Sequence, residues 1–557
     1  YAASTKAVIR ITTKKIQGEG FGFDATTEGS YDEKKNFGGY GRLNMNYRKN
    51  GLELGAYAFG AKQYQPNNQD LQQKTYLDKT WNQKSEIRQV GIIEAMNFRL
   101  DASYQLDANN SIGANFGFLR NPKQTWNGDM SSSILQDEEL SENSDSHADF
   151  FWQKNNLSSN IYYVGKIGKL GIDFNTDWLW SKEYQNDVTK EQYQEVGMNA
   201  QSQTAHSLTN KDYHLLASKL VLSYPLLGGD LSLGGEYSNT HRTSKYQVVP
   251  TNLVSDDDSR ITESMTSSFL TYSRDFGNLS LEAGMRYEYI DFNYYEYGKY
   301  VPGQSKAYGN WFPSISLSMP VGKVQMQLSY ATDIDRPSYN YLRSGIQYDN
   351  RYTYETGNPF LVSEISKNLN YELAYKWLTF DMTYSHTSHT MMSNVETYKD
   401  NPAIGLLKPV NGKAYNHVEA SVNLRPSFGI WYPSFTASVV KQWLDMDAHD
   451  GKISNNPMAV FHFNNTFNTK LAMLTWMMSY TTKGYERNIY LYKPKFCTNV
   501  SVYKSFLKDR LSFQLFVYDL FGHISHMSAH YGKMKDLIVD GLSTSKVSLT
   551  VRYKFNT

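Results

Sequence analysis

Histidine and methionine side chains are concentrated in three segments of this 557-residue chain. Neutral imidazole and thioether sulfur suit copper or haem iron, and imidazole beside a carboxylate suits zinc. The three segments therefore indicate a capture site for a metal ion or haem, with the identity of the metal unknown. The candidate residues are His386, His389, Met391, Met392, His449, His523, His526, Met527 and His530.

Two other interpretations of these segments stay open. Their spacings match no fixed ligand motif, and methionine often fills gaps beneath loops. Aromatic side chains in other polar segments could stack on a carbohydrate or a peptide, or could simply pack the loops together. These aromatic residues are Trp81, Trp126, Tyr297 and Tyr300. The sequence thus predicts ligand binding without selecting among metal, haem, glycan and peptide.

Motifs of known catalytic sites are absent from the sequence. It contains no Gly-x-Ser-x-Gly, His-Glu-x-x-His, phosphate-loop or dinucleotide-binding pattern. The 56 Lys and Arg residues balance 55 Asp and Glu residues, which gives no reason to expect nucleic acid as a partner. A single cysteine, Cys497, excludes an internal disulfide, and we expect it to be an inert lumenal side chain. We therefore predict a protein that is not an enzyme and that carries no cofactor.

The clearest periodicity lies near the C-terminus. Between Val547 and Phe555 every second residue is apolar or aromatic, and the residues between them are Ser, Thr, Arg and Lys. This two-residue period is that of a β-strand with one apolar face and one hydrated face. Similar runs occur at 277–289, 323–330 and 369–377. The alternation therefore predicts strands along nearly the whole chain.

Connections between these runs alternate between short and long segments. The short ones carry Gly, Asn or Asp, as at 48–51 and 227–230, which is typical of hairpin turns. Outer-membrane barrels show this alternation because their periplasmic turns are short and their extracellular loops are long. The long polar segments, which we expect to be loops, include 62–88, 120–155, 184–211, 335–363 and 521–542.

The composition agrees with a large barrel. The mean hydropathy is −0.57, yet aromatic residues make up 15% of the chain, which argues against disorder. A polar lumen and polar loops lower the hydropathy, whereas lipid-facing strands and interfacial girdles require aromatic residues. No stretch approaches the roughly 18 consecutive apolar residues that a helical membrane span needs.

We therefore predict an all-β protein of the bacterial outer membrane. The expected fold is a transmembrane antiparallel β-barrel of about 22 strands with short periplasmic turns and long extracellular loops. Because no domain boundary is visible, residues 16–557 are expected to form one barrel, with outer-membrane lipids and lipopolysaccharide as its surroundings. Several soluble all-β domains would also alternate, but charges opposite the apolar face suit a hydrated lumen better.

Three motifs are more specific than the alternation. Arg-Pro-Ser-Tyr at 336–339, followed by Gly-Asn-Pro-Phe-Leu at 357–361 and by Glu364, is the most specific of them. Val-Tyr-Lys-Ser-Phe at 502–506 precedes Asp-Leu-Phe-Gly at 519–522. Residues 1–15 place a small-residue stretch before an apolar strand and two lysines. Together these motifs resemble the TonB-dependent-receptor-like outer-membrane barrel family of Bacteroidota, in which the first segment is the last strand of a plug domain.

The resemblance implies a transporter that imports a scarce or bulky ligand, such as a metal complex, haem, glycan or peptide. It also implies a globular plug, a TonB-contacting segment upstream of Tyr1, and a surface lipoprotein as a possible partner. A plug is expected on physical grounds too, since a free barrel of this size would leave a wide aqueous hole. The alternative is a non-transporting barrel that serves as a subunit or scaffold of an outer-membrane complex. An upstream region without a TonB-contacting segment would favour that alternative.

Overall fold

The computed structural model describes residues 19–399, 401–543 and 545–556, without the side chains of residues 402 and 403. Residues 1–15, expected to be the last strand of a plug domain, lie outside these described ranges. No helix in the described ranges is long and apolar enough to cross a membrane. The described helical structure is limited to the 3₁₀ turn Pro302–Gln304, and the rest of the regular structure is β.

Within the described ranges, twenty-two antiparallel strands form a closed barrel, as the sequence predicts. Each strand pairs with its neighbours in chain order, and the first pairs with the last, from Phe23 opposite Phe555 to Asp32 opposite Lys546. Closure leaves no unpaired edge along the barrel. The strands β1 to β22 are, in order, Gly20–Asp32, Phe37–Lys49, Leu52–Tyr76, Thr80–Gln105, Ser111–Gln136, Glu139–Ile167, Leu170–Glu195, Gln201–Leu226, Gly229–Val249, Asp257–Phe276, Leu279–Glu296, Lys306–Val321, Val324–Asp335, Glu364–Tyr375, Leu378–Ser388, Tyr415–Leu424, Trp431–Trp443, Met458–Asn468, Met473–Thr481, Lys495–Phe506, Leu511–Tyr518 and Lys546–Phe555.

Short turns occupy one end of the barrel, which we take as the periplasmic end. The turn between β2 and β3 is Asn50-Gly51, and both residues have positive φ, at 51° and 80°. Two consecutive positive φ values match the twist of the flanking strands, and Asn-Gly is the pair that adopts them most readily. The hairpin turns are therefore encoded locally, which is why the sequence locates them well.

Side chains alternate between a lipid face and a lumenal face. Within β4, Phe98 and Leu100 are 48% and 60% exposed, and a bilayer would cover them. Within β22, Leu549 is 48% exposed whereas its neighbour Ser548 is 2% exposed, so the alternation predicted between residues 547 and 555 is confirmed. Lumenal polar groups pair with one another, as Arg552 does with Asp24 of β1. The barrel therefore has an apolar exterior and a hydrated, charged interior.

The prediction of a long loop is wrong for three segments. Segments 62–88, 120–155 and 184–211 continue the barrel strands as hairpins, and only residues 77–79, 137–138 and 196–200 lie between them. A membrane crossing needs about 9–11 residues per strand, so β6 with its 29 residues stands far above the bilayer. Above the membrane both faces of a sheet meet water or polar partners, and strands there lose the apolar alternation that marks them in sequence.

The remaining expected loops, at 335–363 and 521–542, do connect barrel strands, although each contains short strands of its own. The short strands of the 335–363 loop combine with two strands of the β15–β16 connection in a four-stranded sheet. We call this sheet the mouth sheet. Its strands are Ile346–Asn350, Thr353–Thr356, Met391–Tyr398 and Asn401–Asn411. The other short strands are Lys299–Tyr300, Asp447–Ala448, Gly451–Lys452, Gly484–Glu486, Ile489–Leu491, Ile524–Tyr531 and Lys535–Leu542.

Candidate ligand-binding site at the extracellular mouth

The last loop carries its histidines on a β-hairpin formed by Ile524–Tyr531 and Lys535–Leu542. The register places His526 opposite Asp540 and His530 opposite Asp536. Each imidazole donates from Nδ1 to the carboxylate across from it, at 2.7 Å and 2.8 Å. Each histidine is thus oriented by its own carboxylate, and the two do not share one set of ligands.

A third predicted histidine, His449, reaches this hairpin from the β17–β18 loop. Its ring stacks on Tyr76, at the tip of β3, with the ring centroids 3.4 Å apart. The Tyr76 hydroxyl donates to Asp536 at 3.1 Å, and Asp536 also accepts from His530. Burial and the nearby Asp536 raise the pKa of Tyr76. Although burial acts in the opposite direction, the hydrogen bonds from His530 and Tyr76 hold the pKa of Asp536 below its usual value.

Met392 joins the same region through an apolar cluster. It packs against the buried cluster that contains Tyr415, Leu444 and Tyr485, and the Tyr485 hydroxyl lies 3.4 Å from His530 Nε2. Loops that together span more than a hundred residues of sequence, from Met392 to His530, therefore meet in this region. The sequence predicted these residues individually, but their convergence depends on strand order.

The other predicted residues lie apart from this point. His386 is within β15 and donates to Asn416 of β16 at 2.7 Å. His389 has a positive φ of 56° and begins the loop, with its carbonyl accepting from Asn411. Met391 is held through its backbone by Glu364 and Arg487, and Met527 is 37% exposed on the last hairpin.

The aromatic candidates do not assemble into a single ligand-stacking surface. Trp81 and Trp126 belong to strands β4 and β5, whereas Tyr297 and Tyr300 lie in the β11–β12 connection. Tyr297 donates its hydroxyl to the Asp256 carbonyl, and Tyr300 packs edge-on against Tyr295 at 5.6 Å. The two tyrosines therefore pack the loop locally.

His523 is in a different environment from the other histidines of its loop. It donates from Nδ1 to Asp519 at 2.8 Å, and the thiol of Cys497 lies beside both. The three potential ligand atoms, one per residue, are all within 4.8 Å of one another. Among the described residues, this is the group of three whose side chains could hold a metal ion together.

The mouth sheet is a feature that the sequence did not reveal. Arg351, between two of its strands, forms a two-point ion pair with Glu142 of β6, with N–O distances of 2.9 Å and 3.1 Å. The Tyr352 hydroxyl donates to the same carboxylate at 2.6 Å, and the Tyr348 hydroxyl donates to Glu191 of β7 at 2.5 Å. Two carboxylates of the barrel wall therefore hold one turn of an inserted loop.

Apolar packing supplements these polar contacts. Tyr348 and Tyr354 of the mouth sheet are buried in one cluster with Ala205, Tyr246 and Val248, which belong to β8 and β9. Burying an aromatic ring contributes on the order of 2–3 kcal/mol through the hydrophobic effect. The mouth sheet is thus packed against the inner side of the barrel wall rather than extended into solvent.

The Arg-Pro-Ser-Tyr motif anchors the first of the loops that form the mouth sheet. Arg336 pairs with Glu288, which also accepts from Arg286 at 2.5 Å and is 2% exposed. Tyr339 donates to Glu263 of β10 at 3.0 Å. An arginine and a tyrosine at this spacing therefore fix the chain to two lumenal carboxylates just after it leaves β13.

The Gly-Asn-Pro-Phe-Leu motif returns the same loop to the barrel. Leu361 is fully buried in a cluster that includes Ile290 and Phe292 of β11. A Cβ on Gly357 would collide with the backbone oxygen of Arg343, so glycine is required by a close backbone approach. These contacts explain the motif as a structural clamp.

Buried carboxyl groups surround the mouth sheet. Burial raises the pKa of Asp187 in β7 to about 7 and that of Asp257, at the start of β10, to about 6. Asp349, on the mouth sheet itself, has a pKa raised by burial and then by neighbouring Glu355. Burial therefore favours the protonated, neutral form of these carboxyl groups.

The fold is that of several solved receptors and transporters. The protein described as copper transporter OprC is 10% identical with a TM-score of 0.64, and the match covers 98% of this chain and 82% of that one. Ferric citrate transporter FecA is 10% identical with a TM-score of 0.59, covering 96% and 79%. The siderophore receptor PirA from Pseudomonas aeruginosa is 13% identical with a TM-score of 0.55, covering 97% and 81%. At such identities the likeness establishes the fold alone.

No curated protein matches the sequence significantly. A family model does match, described as the outer membrane protein beta-barrel family, and it covers residues 166–553. This match spans most of the barrel, including the anchoring motifs and the last loop. The chain belongs to the outer membrane protein beta-barrel family and is an integral protein of the outer membrane.

Proposed function

We propose that this chain is the barrel of a transporter that imports a scarce or bulky ligand across the outer membrane. The observation that carries the proposal is a closed barrel of 22 strands whose mouth holds an inserted sheet. A barrel of this size has an interior wide enough for a large solute, and such barrels are usually plugged. A general diffusion pore would not need an inserted sheet anchored to Glu142 and Glu191.

The proposal includes a plug and energy coupling. Residues 1–15 are assigned to the last strand of that plug, and a segment upstream of Tyr1 is assigned to contact TonB. Force transmitted through TonB would displace the plug after the ligand has bound at the mouth. The resemblance to OprC, FecA and PirA supports this scheme, since those proteins are described as transporters or siderophore receptors.

We place ligand capture at the point where the loops meet near His530. Imidazoles, tyrosine hydroxyls and carboxylates lie side by side there, among them His449, Tyr76 and Asp536. Metal complexes, haem, glycans and peptides all present groups that such side chains can bind. A surface lipoprotein that delivers the ligand is compatible with an opening at this level.

The test is energy-dependent uptake by cells that express the full-length protein. Accumulation of labelled ferric siderophore, haem, oligosaccharide and peptide would be compared with and without functional TonB. We expect one class to accumulate only when TonB is present, and substitution of His530 and His449 by Asn to reduce that uptake. Accumulation of small solutes irrespective of TonB, or of none of the classes, would contradict the proposal.

A second candidate is a non-transporting scaffold or subunit of an outer-membrane complex. The observation that favours it is the height of strands β3 to β9, which are 21 to 29 residues long and present a broad sheet above the membrane. Stable co-purification of another outer-membrane component, without any TonB-dependent uptake, would support this candidate.

A further inference from the structure

We propose that Cys497, Asp519 and His523 form a binding site for a divalent transition metal ion of the zinc class. The site lies at the extracellular end of strands β20 and β21, where Cys497 is near the start of β20 and Asp519 directly follows β21. His523 comes four residues later, in the last loop. The proposal is independent of whether the barrel transports a ligand.

The donor set and its spacing fit such an ion. Thiolate, imidazole and carboxylate are the three ligand types of protein-bound zinc, with bonds of about 2.0–2.3 Å. Tetrahedral geometry with these bonds separates the ligand atoms by roughly 3.3–3.8 Å. The three atoms here all lie within 4.8 Å of one another, and His523 Nδ1 is 2.8 Å from Asp519. Small side-chain rotations therefore suffice, and a fourth position would be left for water.

The backbone around the site is fixed before any ion binds. The Asp519 backbone N–H donates to the Asn499 side chain at 2.8 Å, and Leu520 N–H donates to the Thr498 carbonyl at 2.9 Å. Gly522 adopts a positive φ of 65° and donates to the Asp519 carbonyl at 3.0 Å. This turn bends the chain back so that the residue after Gly522 faces Asp519. Preorganisation of this kind reduces the cost of binding.

The surroundings also suit a metal ion. Asp519 is 7% exposed and accepts from Ser543 as well as from His523, so a hydroxyl orients the carboxylate from outside the ligand set. The Ser543 hydroxyl in turn accepts from the His523 backbone N–H at 2.9 Å. Hydrogen bonds to ligating groups typically raise metal affinity. Binding at His523 Nδ1 would move the imidazole proton to Nε2 and release the thiol proton of Cys497 to solvent. It would also tie the last loop to β20.

His526 provides a matched comparison within the same loop. It also donates from Nδ1 to a carboxylate, that of Asp540, at 2.7 Å, but it is not part of the Cys497 group. If paired histidine and aspartate were sufficient for metal binding, His526 would contribute as much as His523. The thiol is therefore the discriminating ligand.

The experiment titrates Co²⁺ into the purified full-length protein in detergent, under a phosphine reductant that contains no thiol. We expect one equivalent to bind with a thiolate-to-cobalt charge-transfer band, and Zn²⁺ to displace it. Cys497→Ser should abolish the band, and His523→Asn should weaken Co²⁺ binding by at least about 100-fold, since even outer-shell changes cost 10–100-fold. His526→Asn should leave both unchanged.

A second measurement needs no variant. Zn²⁺ should slow the alkylation of Cys497 in the wild-type protein, as followed by peptide mapping. Co²⁺ binding without a charge-transfer band, binding that is lost in His526→Asn but kept in Cys497→Ser, or alkylation unaffected by Zn²⁺ would overturn the proposal. Heat-modifiable migration in gels verifies that each variant barrel is folded.

Discussion

The two sides of the barrel differ in the structure that they form above the membrane. Strands β3 to β9 rise as a tall wall of 21–29 residues each and end in tips of only a few residues. Strands β13 to β22 are 8–13 residues long, and most of the chain above them lies in long connections. The tall side continues its hydrogen-bond ladders into water, whereas the connections of the short side fold back toward the tall side.

The difference shows where each side finds partners for its backbone. On the tall wall, neighbouring strands satisfy one another, so polar sequences suffice and no core is needed. On the short side, the loops pair their own short strands with one another, and the last hairpin also pairs with β3. Side-chain ion pairs then dock these loops on the barrel wall, as Arg336 does on Glu288 and Arg351 does on Glu142. The proposed ligand-binding end is therefore built from docked loops on a rigid wall, a common division between scaffold and function.

The largest expected effect on loop docking comes from breaking the ion pair between Arg336 and Glu288 of β11. Glu288→Gln would leave Arg286 and Arg336 with less compensating charge in a buried setting, which typically costs about 3–5 kcal/mol. We expect rapid proteolysis within 336–363 while the barrel itself stays folded. Glu282→Gln on the same strand is the control, because Glu282 is exposed. Equal proteolysis of both variants would mean that the anchor does not hold the loop.

A smaller effect on loop docking is expected from the apolar contacts of Leu361, which return the same loop to the barrel. Leu361→Ala would open a cavity beside Ile290 and Phe292, at a cost of about 2–3 kcal/mol in the stability of the docked loop. The neighbouring Phe360 is 68% exposed, so Phe360→Ala should have little effect. Hydrogen exchange of the loop amides would measure the difference. Similar exchange in both variants would show that Leu361 is not packed as described.

A several-fold change in the protease resistance of the mouth sheet is expected between pH 5 and pH 8. Burial raises the pKa of Asp187 to about 7 and that of Asp257 to about 6, both above the usual pKa of an aspartate, so the docked state binds more protons than the undocked one. Stability of the mouth sheet should therefore fall as pH rises from about 4 through 7. Protease resistance should be higher at pH 5 than at pH 8, and Asp187→Asn should weaken this dependence. The opposite slope would contradict the assignment.

The smallest effect is expected at the tips of the tall wall. An epitope inserted between Asp137 and Glu138 should leave barrel assembly unchanged and be detected by antibody on intact cells. The same epitope inserted at Asn50-Gly51 should be detected only after the outer membrane is permeabilised. The reverse accessibility would invert the proposed orientation.

Strand number and turns were predictable because their signals are local. Alternation at 547–555 and the Asn50-Gly51 pair need only adjacent residues to be recognised. The tall wall was missed because its strands above the bilayer have two polar faces, so segments such as 120–155 carry the composition of a loop. Polarity alone does not distinguish a hydrated strand from a loop.

The site was predictable only as a set of residue types. His526 and His530 were identified, but their pairing with Asp540 and Asp536 depends on the register of a hairpin within a loop. The resemblance located the Arg336 motif without giving its role, because Glu288 lies 48 residues away in sequence. Cys497 was expected to be inert, since the approach of Asp519 and His523 depends on the turn at Gly522.

The central structural claim is that the loops of the short side dock against the longer strands of the barrel wall, from β3 to β11. A Cβ on Gly345 would lie 2.5 Å from the Cβ of Asp257, at the start of β10, so a small movement would allow a disulfide. In a Cys497→Ser background, Asp257→Cys with Gly345→Cys should cross-link spontaneously in intact cells and shift gel mobility until reductant is added. If both cysteines instead stay free and react with maleimide, the loop does not dock there and the account of the mouth is wrong.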